Sequence, residues 1–376
     1  MSRVLAVAPV LPTDAYPQHE ISEVIVPMLT TSGPRRLLAH RLQAAAGVRR
    51  RHLVLPIEAY ADPISFGAAN GHFLDRGADL AEQASRRALA DAGIEASDVD
   101  LLLFTSVTGI GAPSIDAALV SRLGLREDVR RMPSFGLGCA GGAAGLAHAH
   151  EYLAGHPGRH ALLVSVELCS LTFQRDDASV ANLVASGLFG DGASAVVVGG
   201  DGVAAPRAAA LAAPRAAALA APRAAALAPP RPRVVGTRSR LYPGTATDLG
   251  WHVRDTGFAI MLSPEVPALL RAHLAGDVKD LLAAHDLTVG DVGTWVVHAG
   301  GPKIVDAVRD ALDLPEAAVA RTRDVLADEG NLSSSSVLHV LAATLDAGRP
   351  APGEWAVLMA FGPGVATELV LLRGEE

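Results

Sequence analysis

Apolar residues recur along the chain in blocks of two kinds. The first kind is continuous and of strand length. Asp98–Thr105 (DVDLLLFT), Ala161–Val166 (ALLVSV) and Ala193–Val198 are such runs in the first half, the last following the tight turn Phe189-Gly190-Asp191-Gly192. Thr294–His298 (TWVVH), Trp355–Phe361 (WAVLMAF) and Gly364–Arg373 are their counterparts in the second half. Apolar runs without alternation mark strands buried on both faces. The second kind repeats at helical spacing: Leu80, Ala84 and Ala88 within Gly77–Gly93, then Ala117–Leu123, Ala140–Leu153 and Val337–Leu345. Strands separated by helices predict an α/β fold with covered sheets.

One segment breaks the pattern. Residues 205–228 are three identical copies of Ala-Pro-Arg-Ala-Ala-Ala-Leu-Ala. A solenoid is excluded because each copy is short and carries a proline, which limits helix to about one turn. The block reads as a low-complexity loop, with a lid or docking arm as the functional alternative. Taken as 204–231, it separates two units, 1–203 and 232–376.

Composition narrows the function classes. Of 376 residues, 50% are hydrophobic and 19% charged, enough apolar material for a large core and too much for a disordered chain. Lys and Arg total 32 against 40 Asp and Glu, so the chain lacks the basic surplus of a nucleic-acid binder. No apolar run approaches the roughly 20 residues of a membrane span, and the opening stretch, broken by Pro9 and Pro12, does not read as a signal peptide. The two cysteines, Cys139 and Cys169, make no disulfide framework; the expected compartment is the cytoplasm.

Four segments carry candidate chemistry. In Gly136-Leu137-Gly138-Cys139-Ala140-Gly141-Gly142, a cysteine sits among glycines at a predicted helix start, where free N–H groups and the helix dipole favour a thiolate. The alternative is an inert cysteine between closely packed elements. His298 ends a predicted strand and opens Ala299-Gly300-Gly301-Pro302, either as a site residue at a strand end or as a capped structural histidine. Asn331, in Glu329-Gly330-Asn331-Leu332-Ser333, precedes a predicted helix and could serve as its N-cap. Phe361-Gly362-Pro363-Gly364 is a tight turn. Together, a thiol, an imidazole and an amide suit thioester exchange followed by carbon–carbon bond formation: the thiol holds an acyl group and the other two steady an oxyanion.

With these motifs in this order, the chain resembles the type III polyketide synthases, the chalcone-synthase-like branch of the thiolase superfamily. The resemblance rests on GLGCAGG (136–142), GLFGDGASA (187–195), VVHAGGPKI (296–304), EGNLSSSSV (329–337) and FGPG (361–364). It implies a five-layered αβαβα thiolase-like fold of two similar halves and a homodimer. It implies acyl-CoA and malonyl-CoA as substrates, with no metal and no organic cofactor. The family's catalytic triad falls on Cys139, His298 and Asn331, with a thiolate–imidazolium pair as the attacking state. The resemblance places Phe189 as a gatekeeper, and Thr172, Ser333, Trp251, Ile260, Val107 and Ala112 around the substrate cavity. Ile260 stands where plant enzymes carry Phe, and Trp251 where they carry Gly. Val107 stands where tetrahydroxynaphthalene synthases carry a second Cys. Arg41, Arg49 and Lys303 are the expected CoA contacts, although Leu38 and Ala45 replace lysines of the plant enzymes. The stretch 250–267 is similar to alkylpyrone and alkylresorcinol synthases, so the expected starter is a medium- or long-chain fatty acyl group. The alternatives are a malonyl-only, tetrahydroxynaphthalene-type synthase or a ketoacyl-ACP synthase III-like enzyme, which would carry His-Gln-Ala-Asn at 298–301. A catalytically dead thiolase-fold scaffold is opposed by the intact triad.

Overall fold

All six continuous apolar runs form strands. A computed structural model describes residues 1–203 and 231–375; the repeat block, and with it the loop-or-lid question, lies outside the described residues. The first half contains β1 (Ser2–Val10), the short pair β2 (Asp14–Pro17) and β3 (Arg50–Leu53), β4 (Val99–Thr105), β5 (Arg130–Ser134), β6 (His160–Leu168) and β7 (Asp191–Gly200). The second contains β8 (Arg233–Leu241), the hairpin β9 (Leu249–Arg254) and β10 (Gly257–Leu262), β11 (Val292–Val297), β12 (Trp355–Gly362) and β13 (Ala366–Arg373). The helices are α1 (Gln18–Leu29), α2 (Gly33–Ala44), α3 (Phe66–Ala92), α4 (Ile115–Leu123), α5 (Gly141–Gly155), α6 (Val180–Leu188), α7 (Val266–Ala283), α8 (Pro302–Leu312), α9 (Glu316–Glu329) and α10 (Ser336–Asp346).

The two halves wind alike. In the first, the order is β5-β4-β6-β7-β1; in the second, β11-β12-β13-β8. Within each, the pairs toward the outer edge are parallel (β4 with β5 and β6; β11 with β12) and the strand next to the junction strand (β7, β13) runs antiparallel to both neighbours. The sheets meet edge to edge where β1 pairs with β8, through Ser2 opposite Val234 and Arg3 opposite Arg233.

Helices sort into layers by what they bury. α3 and α4 cover one face of the first sheet through Ala81, Ala84, Ala88 and Leu119. α7 and α8 cover one face of the second through Leu270, Leu274, Val278 and Val308. α5 and α10 lie between, packed with strands of both halves in one core that includes Leu146, Leu153, Val337 and Leu341. That is the five-layered αβαβα arrangement. Each fully buried Leu of the central layer contributes about 2 kcal/mol.

The departures from the predicted elements have local causes. α3 begins eleven residues before the predicted Gly77, because Ser65 caps it by accepting the Ala68 N–H at 3.2 Å. Gly67 and Gly71 dilute the apolar signal in its first turns. β1 went unpredicted because Pro9 interrupts its run. The last strand starts at Ala366, two residues after the predicted Gly364.

Candidate active site

Three segments converge on the central layer. Leu137–Ala140 makes a tight turn into α5, and Gly138 takes φ +51 there. A Cβ on Gly138 would lie 2.4 Å from Pro363 Cδ, so the Phe361–Gly364 turn presses directly on the cysteine turn. Small residues on α5 admit the other partners: a Cβ on Gly141 would meet Thr105 Oγ1 at 2.5 Å, and one on Gly142 the Ser334 carbonyl at 2.3 Å. The glycines around Cys139 therefore exist for close approach, bringing β4 and the loop before α10 onto the nucleophile.

The Cys139 thiol lies 3.7 Å from the Ser333 hydroxyl. Ser333 is buried and holds φ +49, a left-handed conformation fixed by its neighbour: its N–H donates to Asn331 Oδ1 at 2.8 Å. The Ser336 hydroxyl donates to the same oxygen at 3.2 Å. Asn331 is thus both the cap of the short turn Ser333–Ser335 and a site residue, because this leaves its Nδ2 hydrogens for other work. One donates to the Gly300 carbonyl at 3.3 Å, two residues from His298. His298 is 2% exposed, follows β11, and has no hydrogen-bond partner at Nδ1.

Burial acts against charge on both groups. It pushes the Cys139 thiol up to about 12; hydrogen bonds from Ser333 and Asn331 oppose this, and the carboxylate of Glu167 adds to it. Burial alone lowers the His298 imidazole to about 3. Among the described residues no hydrogen bond joins them directly. Glu167, unforeseen from the sequence, is fully buried behind the site. It accepts from the Val107 N–H at 3.1 Å, the Thr108 hydroxyl at 2.8 Å and Ser334, tying the loop after β4 to the loop that carries Asn331.

Of the expected cavity residues, Thr172, Phe189, Trp251 and Ile260 line one internal cavity of about 50 Å³. Trp251 and Ile260 are direct cross-strand partners on the β9–β10 hairpin. Val107, Ala112 and Ser333 do not line it: Val107 is buried beside Glu167, Ala112 is exposed, and Ser333 lies beside Cys139. Arg51, Tyr60, Cys169 and Ser170 do line it; none was expected there, because single residues in separate strands and loops carry no periodic signal. Of the expected CoA contacts, Arg41 and Lys303 are exposed. The turn that follows Arg41 abuts the turn that precedes Lys303, where a Cβ on Gly47 would sit 3.2 Å from Pro302 Cγ. Arg49 is engaged by Asp328 at 2.8 Å.

Comparison with known proteins agrees with this geometry. Residues 1–202 match the N-terminal domain of chalcone and stilbene synthases, and residues 233–375 match their C-terminal domain. A 1,3,6,8-tetrahydroxynaphthalene synthase of Streptomyces peucetius subsp. caesius is 49% identical over 98% of this chain and 92% of its own length. An alpha-pyrone synthesis polyketide synthase-like protein of Mycobacterium tuberculosis is 29% identical over 94% of the chain and 86% of its own. The crystal structure of the tetrahydroxynaphthalene synthase of Streptomyces coelicolor A3(2), a bacterial type III polyketide synthase, superposes with a TM-score of 0.88 at 31% identity, covering 100% of this chain and 99% of that one. The chain belongs to the chalcone and stilbene synthase family and is a type III polyketide synthase.

Proposed function

We propose that this synthase primes and extends with malonyl-CoA alone and closes the chain to a tetrahydroxynaphthalene. The carrying observation is 49% identity, along nearly the whole chain, to an enzyme of that activity. The cavity supports it. The fatty-acyl expectation took Ile260, in place of Phe, as widening the tunnel. Trp251 stands directly opposite Ile260, and both line the cavity, so a large aromatic residue accompanies the smaller Ile260 there. Val107, the departure that opposed this reading, lies outside the cavity.

In the proposed mechanism His298 takes the Cys139 proton as Sγ attacks the malonyl thioester, and returns it to the departing CoA thiolate. A second malonyl unit loses CO₂, and its enolate oxygen is held by His298 and the Asn331 amide. The enolate carbon attacks the Cys139 thioester, forming the carbon–carbon bond and freeing the thiolate. The longer chain, now on CoA, reloads onto Cys139. Oxyanion donors come from the chain itself, so the reading requires neither metal nor organic cofactor. The ten ring carbons of a naphthalene correspond to five two-carbon units, so the primer's own carboxylate also leaves as CO₂ before release, and ring closure expels the thioester sulfur as a thiol.

Mass spectrometry of products from a panel of acyl-CoAs tests this. Tetrahydroxynaphthalene from malonyl-CoA alone is the expected result. Alkyl pyrones from palmitoyl-CoA, with nothing from malonyl-CoA alone, would sink the reading.

The assembly is proposed as a homodimer. β5 is the unpaired outer edge of the sheet, and Ile110, Met132 and Phe135 stand 52%, 43% and 51% exposed beside it. Apolar side chains on an open strand edge invite pairing with a second copy. Sedimentation at twice the 38.7 kDa chain mass is expected, and a monomer at micromolar concentration would refute it. No described helix is long and apolar enough to cross a membrane. A cytoplasmic location is proposed from the CoA thioester substrates.

A further inference from the structure

Arg51 is 4% exposed and sits at the wall of the cavity that Phe189, Thr172, Trp251 and Ile260 also line. Its Nε donates to Gln18 Oε1 at 2.9 Å and its Nη1 to the Phe189 carbonyl at 2.6 Å. Its Nη2 is buried without a partner, and so is Nε2 of Gln18. The bond between the two side chains places these unmade donors side by side. The neighbouring carboxylate does not serve them: Asp191 accepts from the Val54 N–H at 2.7 Å, the Ser170 N–H at 2.8 Å and the Ser170 hydroxyl. Burial lowers the Arg51 guanidinium only to about 10, so it stays charged at neutral pH. Two adjacent donors, one of them charged and neither satisfied, fit an oxygen acceptor; an alkyl chain has nothing to offer them.

We propose that Arg51, held by Gln18, forms an oxygen-reading wall of this cavity, binding a carbonyl or enolate oxygen of the growing poly-β-keto chain and selecting such chains over alkyl ones. The proposal rests on the malonyl-only reading for its substrate class. It makes Arg51 a specificity-determining residue, and no bond is made or broken at it.

The test compares two six-carbon primers, 3,5-dioxohexanoyl and hexanoyl thioesters of N-acetylcysteamine, by kcat/KM for extension with malonyl-CoA. The wild-type enzyme is expected to favour the dioxo primer by about tenfold or more, as charged hydrogen bonds do elsewhere. Arg51→Met is expected to bring that ratio near one. Gln18→Leu is expected to lose part of the preference, and Arg51→Lys to restore part of it. A merely structural role would slow both primers together and leave the ratio unmoved, and that result overturns the proposal. So does a wild-type enzyme with no preference. If Arg51→Met gives no melting transition, the wild-type ratio and Gln18→Leu decide. A wild-type enzyme that prefers the dioxo primer yet makes no tetrahydroxynaphthalene from malonyl-CoA alone supports the donor pair and sinks only the malonyl-only reading.

Discussion

Cys139→Ala is expected to lower product formation by at least about 10⁴-fold and to abolish the acyl adduct in intact-protein mass spectra, with the fold unchanged. The thiol's hydrogen bonds, to Ser333 at 3.7 Å and with Asn331, are weak, so its loss shifts the melting temperature by a few degrees at most. The informative control is Cys169. It lines the cavity, and burial, Glu167 and Asp191 all raise its thiol well above the ordinary value. Cys139 is less buried, with hydrogen bonds from Ser333 and Asn331 opposing the rise. An adduct that persists in Cys139→Ala and maps to Cys169 would overturn the assignment of the nucleophile.

Gly142→Ala is expected to be among the more damaging single-methyl changes near the site. The new Cβ would lie 2.3 Å from the Ser334 carbonyl, 3.0 Å from Val337 and 3.2 Å from Leu338. The first contact is backbone, in the loop that carries Asn331, and cannot rotate away. We expect a loss of about 3 kcal/mol or more in unfolding free energy. Turnover should fall about 100-fold in whatever folds, since an ångström of displacement at Asn331 disturbs the oxyanion donors. Gly155→Ala, at the far end of the same helix, meets nothing within 4 Å and should be neutral or slightly stabilising. Equal effects at the two positions, read by chemical denaturation, would refute the close-packing account.

The strands that reached the page from the sequence were those buried on both faces. β4, β6, β7 and β12 read plainly because burial on both sides leaves no polar alternation to confuse. Strands with a wet face did not: β5 is nearly all exposed and β9 half exposed, and neither shows a period. The chemistry was legible wherever a motif is local, as at Cys139, His298 and Asn331. It was not legible where function is assembled from distant single residues. Arg51, Gln18 and Glu167 each look ordinary in their own segment, and only the fold sets them behind the cavity and the nucleophile. The same holds for the surroundings of the nucleophile: a helix N-terminus is visible in sequence, but the burial that raises the Cys139 thiol is not.

The position of β1 between the two half-sheets has a consequence for the alanine–proline–arginine block. Ser2 is paired with Gly200 at the end of β7 and with Val234 at the start of β8. The excursion from 204 to 230 therefore leaves and returns two strand spacings apart, about 10 Å. A single eight-residue copy is long enough to bridge that span, so the described ends demand no particular number of copies. Copy number can then drift, by the slippage to which repeated codons are prone, without the fold or the active site registering it.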